Sequence, residues 1–87
     1  MPDIYFEALK KWGHESQIKM MIEECAELIA VLHHYDRGKV RAIEVCGEIA
    51  DVDIMVQQMK ALFGPKCEDI KKHKLGKLKE LLKQESL

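Results

Sequence analysis

Glu23, Glu24 and Glu27, followed by Glu48 and Asp51, are the residues of this 87-residue sequence whose types and spacing best suit chemistry. Glu24 and Glu27 stand at i and i+3, which sets them side by side on one face of a helix. Glu48 and Asp51 repeat that spacing. In both places the acids are interleaved with apolar residues: Cys25, Ala26 and Leu28 in one, Ile49, Ala50 and Val52 in the other. Their carboxylates are therefore expected to be partly buried where two helices face each other. Carboxylates gathered at a low-dielectric contact repel one another, so such a cluster persists when protons or cations neutralise it. A donor set of hard oxygens, without histidine or thiolate, suits Mg²⁺ or Mn²⁺. Because Mg²⁺ takes one or two carboxylates together with substrate phosphates, the expected chemistry is phosphate processing at a divalent metal. A lone Glu-x-x-Glu on a solvated helix carries little weight. The signal is the pair of motifs on consecutive helices, each set inside an apolar stripe.

The elements that must position these acids are helices. A short helix is predicted over 3–12, with Asp3 as its N-cap and Gly13 as its break. A long helix is predicted over 15–35, where Ile18, Met21, Ile22, Cys25, Leu28, Ile29 and Leu32 recur at spacings of three and four. Asp36-Arg37-Gly38 closes it. A third helix is predicted over 40–63 and ended by Gly64-Pro65. Ile43, Cys46, Ala50, Ile54 and Leu62 form one stripe on it, and Ile49, Val52, Met55, Val56 and Met59 widen that stripe. A helix this broadly apolar should touch more than one neighbour. A last, lysine-rich helix over 67–83 puts Ile70, Leu75, Leu78, Leu81 and Leu82 on one side. Two long helices with a short connection make an antiparallel hairpin. A lone hairpin should leave Ile49, Val52, Met55 and Met59 uncovered, so the fold class expected is all-α, with a four-helix bundle completed by two subunits.

Composition sets the limits of this scheme. The length allows one domain, 1–87, near the size where a single chain struggles to bury a sufficient core. Apolar residues make up 47%, with five glycines and two prolines, which favours helices over a small β fold. The net charge of −1 points neither to nucleic acid nor to an anionic membrane. Its distribution says more. Residues 15–56 carry nine acids against four bases, whereas residues 57–87 carry eight lysines against four acids. An acidic middle can hold a cation and a basic tail can meet phosphate. Cys25, Cys46 and Cys67 form neither a disulfide framework nor a Cys-x-x-Cys zinc motif, and are read as reduced thiols, Cys25 and Cys46 as small core residues. With no apolar leader region and no membrane-length apolar window, a cytoplasmic protein is expected.

Glu23-Glu24-Cys25-Ala26-Glu27-Leu28 followed by Glu48-Ile49-Ala50-Asp51-Val52 resembles the signature of MazG-like all-α nucleoside triphosphate pyrophosphohydrolases, Glu-Glu-x-x-Glu, a spacer, then Glu-x-x-Asp. Gln17 upstream and Asp53-Ile54-Met55 downstream extend the likeness, which covers residues 12–62 with a weaker echo over 74–78. The combined motif is specific, while either half alone is not. The resemblance implies hydrolysis of a nucleoside triphosphate to monophosphate and pyrophosphate, with attack by water on the α-phosphorus. It implies that Glu24, Glu27, Glu48 and Asp51 hold Mg²⁺, with Mn²⁺ as a possible substitute. Glu23 would either support the metal ligands from outside or help orient the attacking water. It also implies a homodimer or homotetramer with a nucleoside triphosphate as substrate. Gly47 departs from relatives that carry a further acid at that place, and lysines stand in the tail where relatives offer arginine.

The remaining candidates have two readings each. Trp12 could stack on a base or anchor a core or an interface, and Gln17 could read a base edge or stay solvated. Lys74 and Lys77 are candidate phosphate contacts on an otherwise solvated face. His33 and His34 suit the negative end of a helix dipole better than a metal. No Glu-x-x-His motif is present, which argues against a di-iron carboxylate bundle. The competing function from another class is a non-catalytic helical dimerisation or regulatory module.

Overall fold

Local sequence sets the start of α1 and of α3 and the breaks after α1 and α3. The computed structural model describes residues 3–85 and contains α1 (Ile4–Trp12), α2 (His14–Asp36), α3 (Ala42–Phe63) and α4 (Lys66–Glu85), with no strand among the described residues. The Asp3 carboxylate accepts hydrogen bonds from the Tyr5 and Phe6 amides at 2.9 and 3.4 Å, capping α1 as predicted. Gly13 separates α1 from α2 at φ +90°, a backbone region that L side chains avoid, and its N–H donates to the Leu9 carbonyl at 2.9 Å. Gly64 does the same after α3 at φ +95°, donating to Lys60. His33 and His34 fall in the last turn of α2. Glu44, a solvated flank residue on the sequence pattern alone, holds the start of α3, where its Oε2 accepts the Arg41 amide at 2.7 Å and so caps the helix.

Helices α2 and α3 pack along their length as the expected antiparallel hairpin, and α1 folds back against both. Along α2 the residues with reduced exposure are Gln17, Met21, Glu24, Leu28 and Val31, at spacings of four, three, four and three, with Cys25 flanking that row. Along α3 they include Val45, Glu48, Val52, Met55 and Met59, at three, four, three and four. These are the seam positions of two helices packed nearly side by side. The seam differs from the predicted apolar stripes. Ile18, Ile22, Ile29 and Leu32 of α2 and Ile43 and Ile54 of α3 are exposed, as is Cys46, which is therefore no core residue. Of the four residues expected to lie uncovered, only Ile49 does; Met55 is buried and Val52 and Met59 are half-buried in the seam. The stripes hold Met21, Cys25 and Leu28 of α2 and Val52, Met55, Val56, Met59 and Leu62 of α3 correctly, but their centre is displaced to one side, because two seam positions hold glutamates.

The fully covered core is small, Leu9 and Met55 with the carboxamides Gln17 and Gln58. Helix α4 touches only α3, near its own start, where Lys60 of α3 pairs with Glu68. That pairing raises the Lys60 pKa and lowers that of Glu68. From Ile70 to Gln84 every residue of α4 is exposed, its leucines included. The radius of gyration is 16.4 Å, against about 12 Å for a compact domain of this length. The accessible surface is 7214 Å², against about 5,300 Å² for a compact monomer of this mass.

Candidate metal centre

Two of the seam positions that a helical hairpin normally gives to apolar side chains hold Glu24 and Glu48. Glu24 comes from the middle of α2 and Glu48 from the first half of α3, and the antiparallel register brings them face to face. Glu27, one turn beyond Glu24, completes a group in which one carboxylate oxygen from each residue lies within 4.8 Å of the others. Glu24 and Glu48 are half-buried while Glu27 is exposed, so the group opens to solvent on one side.

The electrostatics of this group are unfavourable without a counter-charge. The Oε2 atoms of Glu24 and Glu48 are buried and have no hydrogen-bond partner among the described residues. Burial raises the Glu24 pKa first, and the charges of Glu27, Asp51, Glu48 and Glu23 raise it further. Burial also leads for Glu48, followed by the charge of Glu27, the charge of Asp51 and direct contact with Glu27. A hydrophobic seam with two unpaired carboxylate oxygens costs stability that leucine would not. The donor set fits a hard divalent cation: oxygens alone, three from two helices, with lone pairs directed at one another rather than at protein donors.

The other expected site residues divide into two sets. Asp51 is exposed and lies outside the three-oxygen group, yet stands close enough to raise both buried glutamates. Glu23 is exposed and borders an open groove of about 600 Å³ that runs from Trp12 past Ser16 and Met20. Trp12 and Gln17 are brought together, both lining a smaller pocket of about 350 Å³ at the α1–α2 junction. Gln17 is buried, only 5% exposed, so the solvated reading of it does not hold; Trp12 is 56% exposed and anchors no core in the single chain. Lys74 and Lys77 are not brought to the carboxylates, since α4 leaves its own hairpin. A side chain added at Gly47 would meet open space in the single chain, so no close helix contact requires that glycine. Gln58, which sequence reasoning did not select, is 6% exposed and lines the Trp12 pocket. Its signal was a carboxamide seven residues after Asp51 inside a broadly apolar run.

No family model, no curated protein and no solved structure matches this chain. No helix among the described residues is long and apolar enough to cross a membrane.

Proposed function

We propose that this chain is a Mg²⁺-dependent, MazG-like nucleoside triphosphate pyrophosphohydrolase, working in the cytoplasm as a homodimer or homotetramer. One observation carries the reading: Glu24 and Glu48 meet at seam positions, with Glu27 beside them and two buried oxygens unpaired. Glu24, Glu27 and Glu48, with Asp51 adjacent, would hold the metal. When bound, Mg²⁺ neutralises triphosphate charge and makes a water more acidic. The protein's own part is placement. Glu23, on the groove beside the cluster, orients the attacking water and accepts its proton. Trp12, at the end of α1, and Gln17, about two helical turns before Glu24 on α2, receive the base end of the substrate. Water attacks the α-phosphorus, the bond to the bridging oxygen breaks, and pyrophosphate leaves with a monophosphate left behind.

Assembly belongs to the same proposal. The exposed stripe of Ile18, Ile22, Ile29 and Leu32 and the leucines of α4 are surfaces a second copy can cover. The surface in excess of a compact monomer, about 1,900 Å² per chain, exceeds the roughly 800 Å² per partner of a standard interface and suits the larger interface of an obligate oligomer. Lys74 and Lys77 would then meet phosphate only across the assembly, because α4 does not return to its own hairpin. Light scattering at micromolar concentration should give at least twice the chain mass of 10.1 kDa. A compact monomer would contradict the assembly.

The exposed apolar stripe also favours the competing reading, a non-catalytic dimerisation module. The two separate cleanly. Ribo- and deoxyribonucleoside triphosphates incubated with Mg²⁺ should release pyrophosphate, and removal of the metal by chelation should stop the release. A module gives none from any triphosphate and shows no dependence on metal.

A further inference from the structure

Outside the carboxylate cluster, Gln58 Oε1 is the buried side-chain polar atom left without a partner among the described residues. Its Nε2 donates only to the Met55 sulfur at 3.5 Å. The neighbouring Gln17 is buried too, and its Nε2 donates to Ser16 Oγ at a long 3.5 Å. Packing does not explain two carboxamides in a core that otherwise consists of Leu9 and Met55. A methionine or leucine would fill the same space without an unsatisfied acceptor, which is the more stable arrangement.

Both glutamines line one pocket of about 350 Å³, with Trp12, Ser16, Met20 and Met55 as its other walls. An indole and two thioethers offer flat, polarizable surfaces to the faces of a planar ring. The carboxamides offer hydrogen bonds to its edge. The register fixes where such a ring would lie relative to the metal centre. Gln17 precedes Glu24 by seven residues and Gln58 follows Asp51 by seven. Seven residues are close to two turns, about 10.5 Å, and return to the same helix face. The pocket thus lies along the hairpin from the carboxylates at a separation that a sugar and one phosphate can bridge.

We infer that Gln58, together with Gln17, is a specificity residue that reads the edge of a nucleobase, with Gln58 Oε1 accepting an N–H from the ring. The inference rests on the nucleotide reading of the metal centre and adds how the base is held. A site built to pair a donor rejects ligands that lack it, because its buried acceptor is then left unpaired.

Trp12 is the sole tryptophan, so its fluorescence reports on this pocket directly. Adenosine, guanosine, cytidine and uridine, without phosphate and without metal, are titrated against the full-length protein. At least one should change the Trp12 emission saturably. Gln58→Met should weaken that binding by about tenfold or more while raising the melting temperature by about 5 °C, since it removes an unpaired buried acceptor. Binding of inorganic tripolyphosphate with Mg²⁺, followed by calorimetry, should be the same in both proteins, because that ligand has no base. A purely structural Gln58 would move stability without separating nucleoside from tripolyphosphate. Equal nucleoside binding by Gln58→Met, or no response to any of the four nucleosides, overturns the inference. Pyrophosphate release with an unaltered base preference in Gln58→Met overturns it and leaves the proposed function standing. Gln58-dependent nucleoside binding with no triphosphate hydrolysed sustains it and overturns the proposed function instead.

Discussion

Glu48→Gln should lower pyrophosphate release by about a hundredfold or more while the hairpin stays folded. Glutamine keeps the volume of glutamate and can still accept a hydrogen bond, so the seam loses no packing. It removes one charge from a group whose members raise one another's pKa. In the absence of metal the variant should therefore melt no lower than the parent protein. Glu24→Gln should behave alike, and the double variant should be little worse than either alone, because the carboxylates act as one unit. Glu44→Gln is the control. The carbonyl of glutamine can still accept the Arg41 amide that Glu44 now holds at 2.7 Å, so fold and turnover should both change little. Full activity in Glu48→Gln would refute the site.

A divalent cation should raise the melting temperature by about 10–20 °C at a hundred times its dissociation constant, and more at alkaline than at acidic pH. The pH dependence follows from the direction of the shifts. Burial and neighbouring carboxylates hold the pKa values of Glu24 and Glu48 above their ordinary value of 4.5. The native state therefore retains protons at pH values where the unfolded chain has released them. Stability from these groups is fully present below the ordinary carboxylate range and is lost as pH rises through the raised native values. The metal-free protein should thus weaken across that window. A cation binds the ionised carboxylates, so its stabilising effect should grow over the same interval. Glu24→Gln should shrink both the metal effect and the pH effect. A melting temperature indifferent to saturating Mn²⁺ above the window would contradict a metal centre.

The helices were legible in the sequence because their ends are written in local chemistry. Asp3 caps, Gly13 and Gly64 take positive φ, and Gly38 follows the close of α2. The observed helices lie within two residues of the predicted bounds. The carboxylate pairs were legible because i, i+3 spacing fixes neighbours on a helix without knowledge of tertiary packing. The seam was legible in part. The apolar stripe of Ile18, Met21, Ile22, Cys25, Leu28, Ile29 and Leu32 is wider than the seam and centred to one side of it. The seam keeps Met21, Cys25 and Leu28 and takes in Glu24, as the burial expected of the carboxylates requires, together with the amide Gln17. Gln58 was hidden, since its burial depends on α1 folding back over α3. The isolation of α4 was equally hidden, because its leucine stripe signals a contact without saying with what.

In the proposed reaction the carboxylate cluster directs water to the α-phosphorus of a nucleoside triphosphate. The most direct test runs the reaction with Mg²⁺ in ¹⁸O-labelled water and follows the products by ³¹P resonance. The products should be nucleoside monophosphate and pyrophosphate, with the label on the monophosphate phosphorus and none on the pyrophosphate. Label on pyrophosphate, or release of orthophosphate with a nucleoside diphosphate, would contradict it.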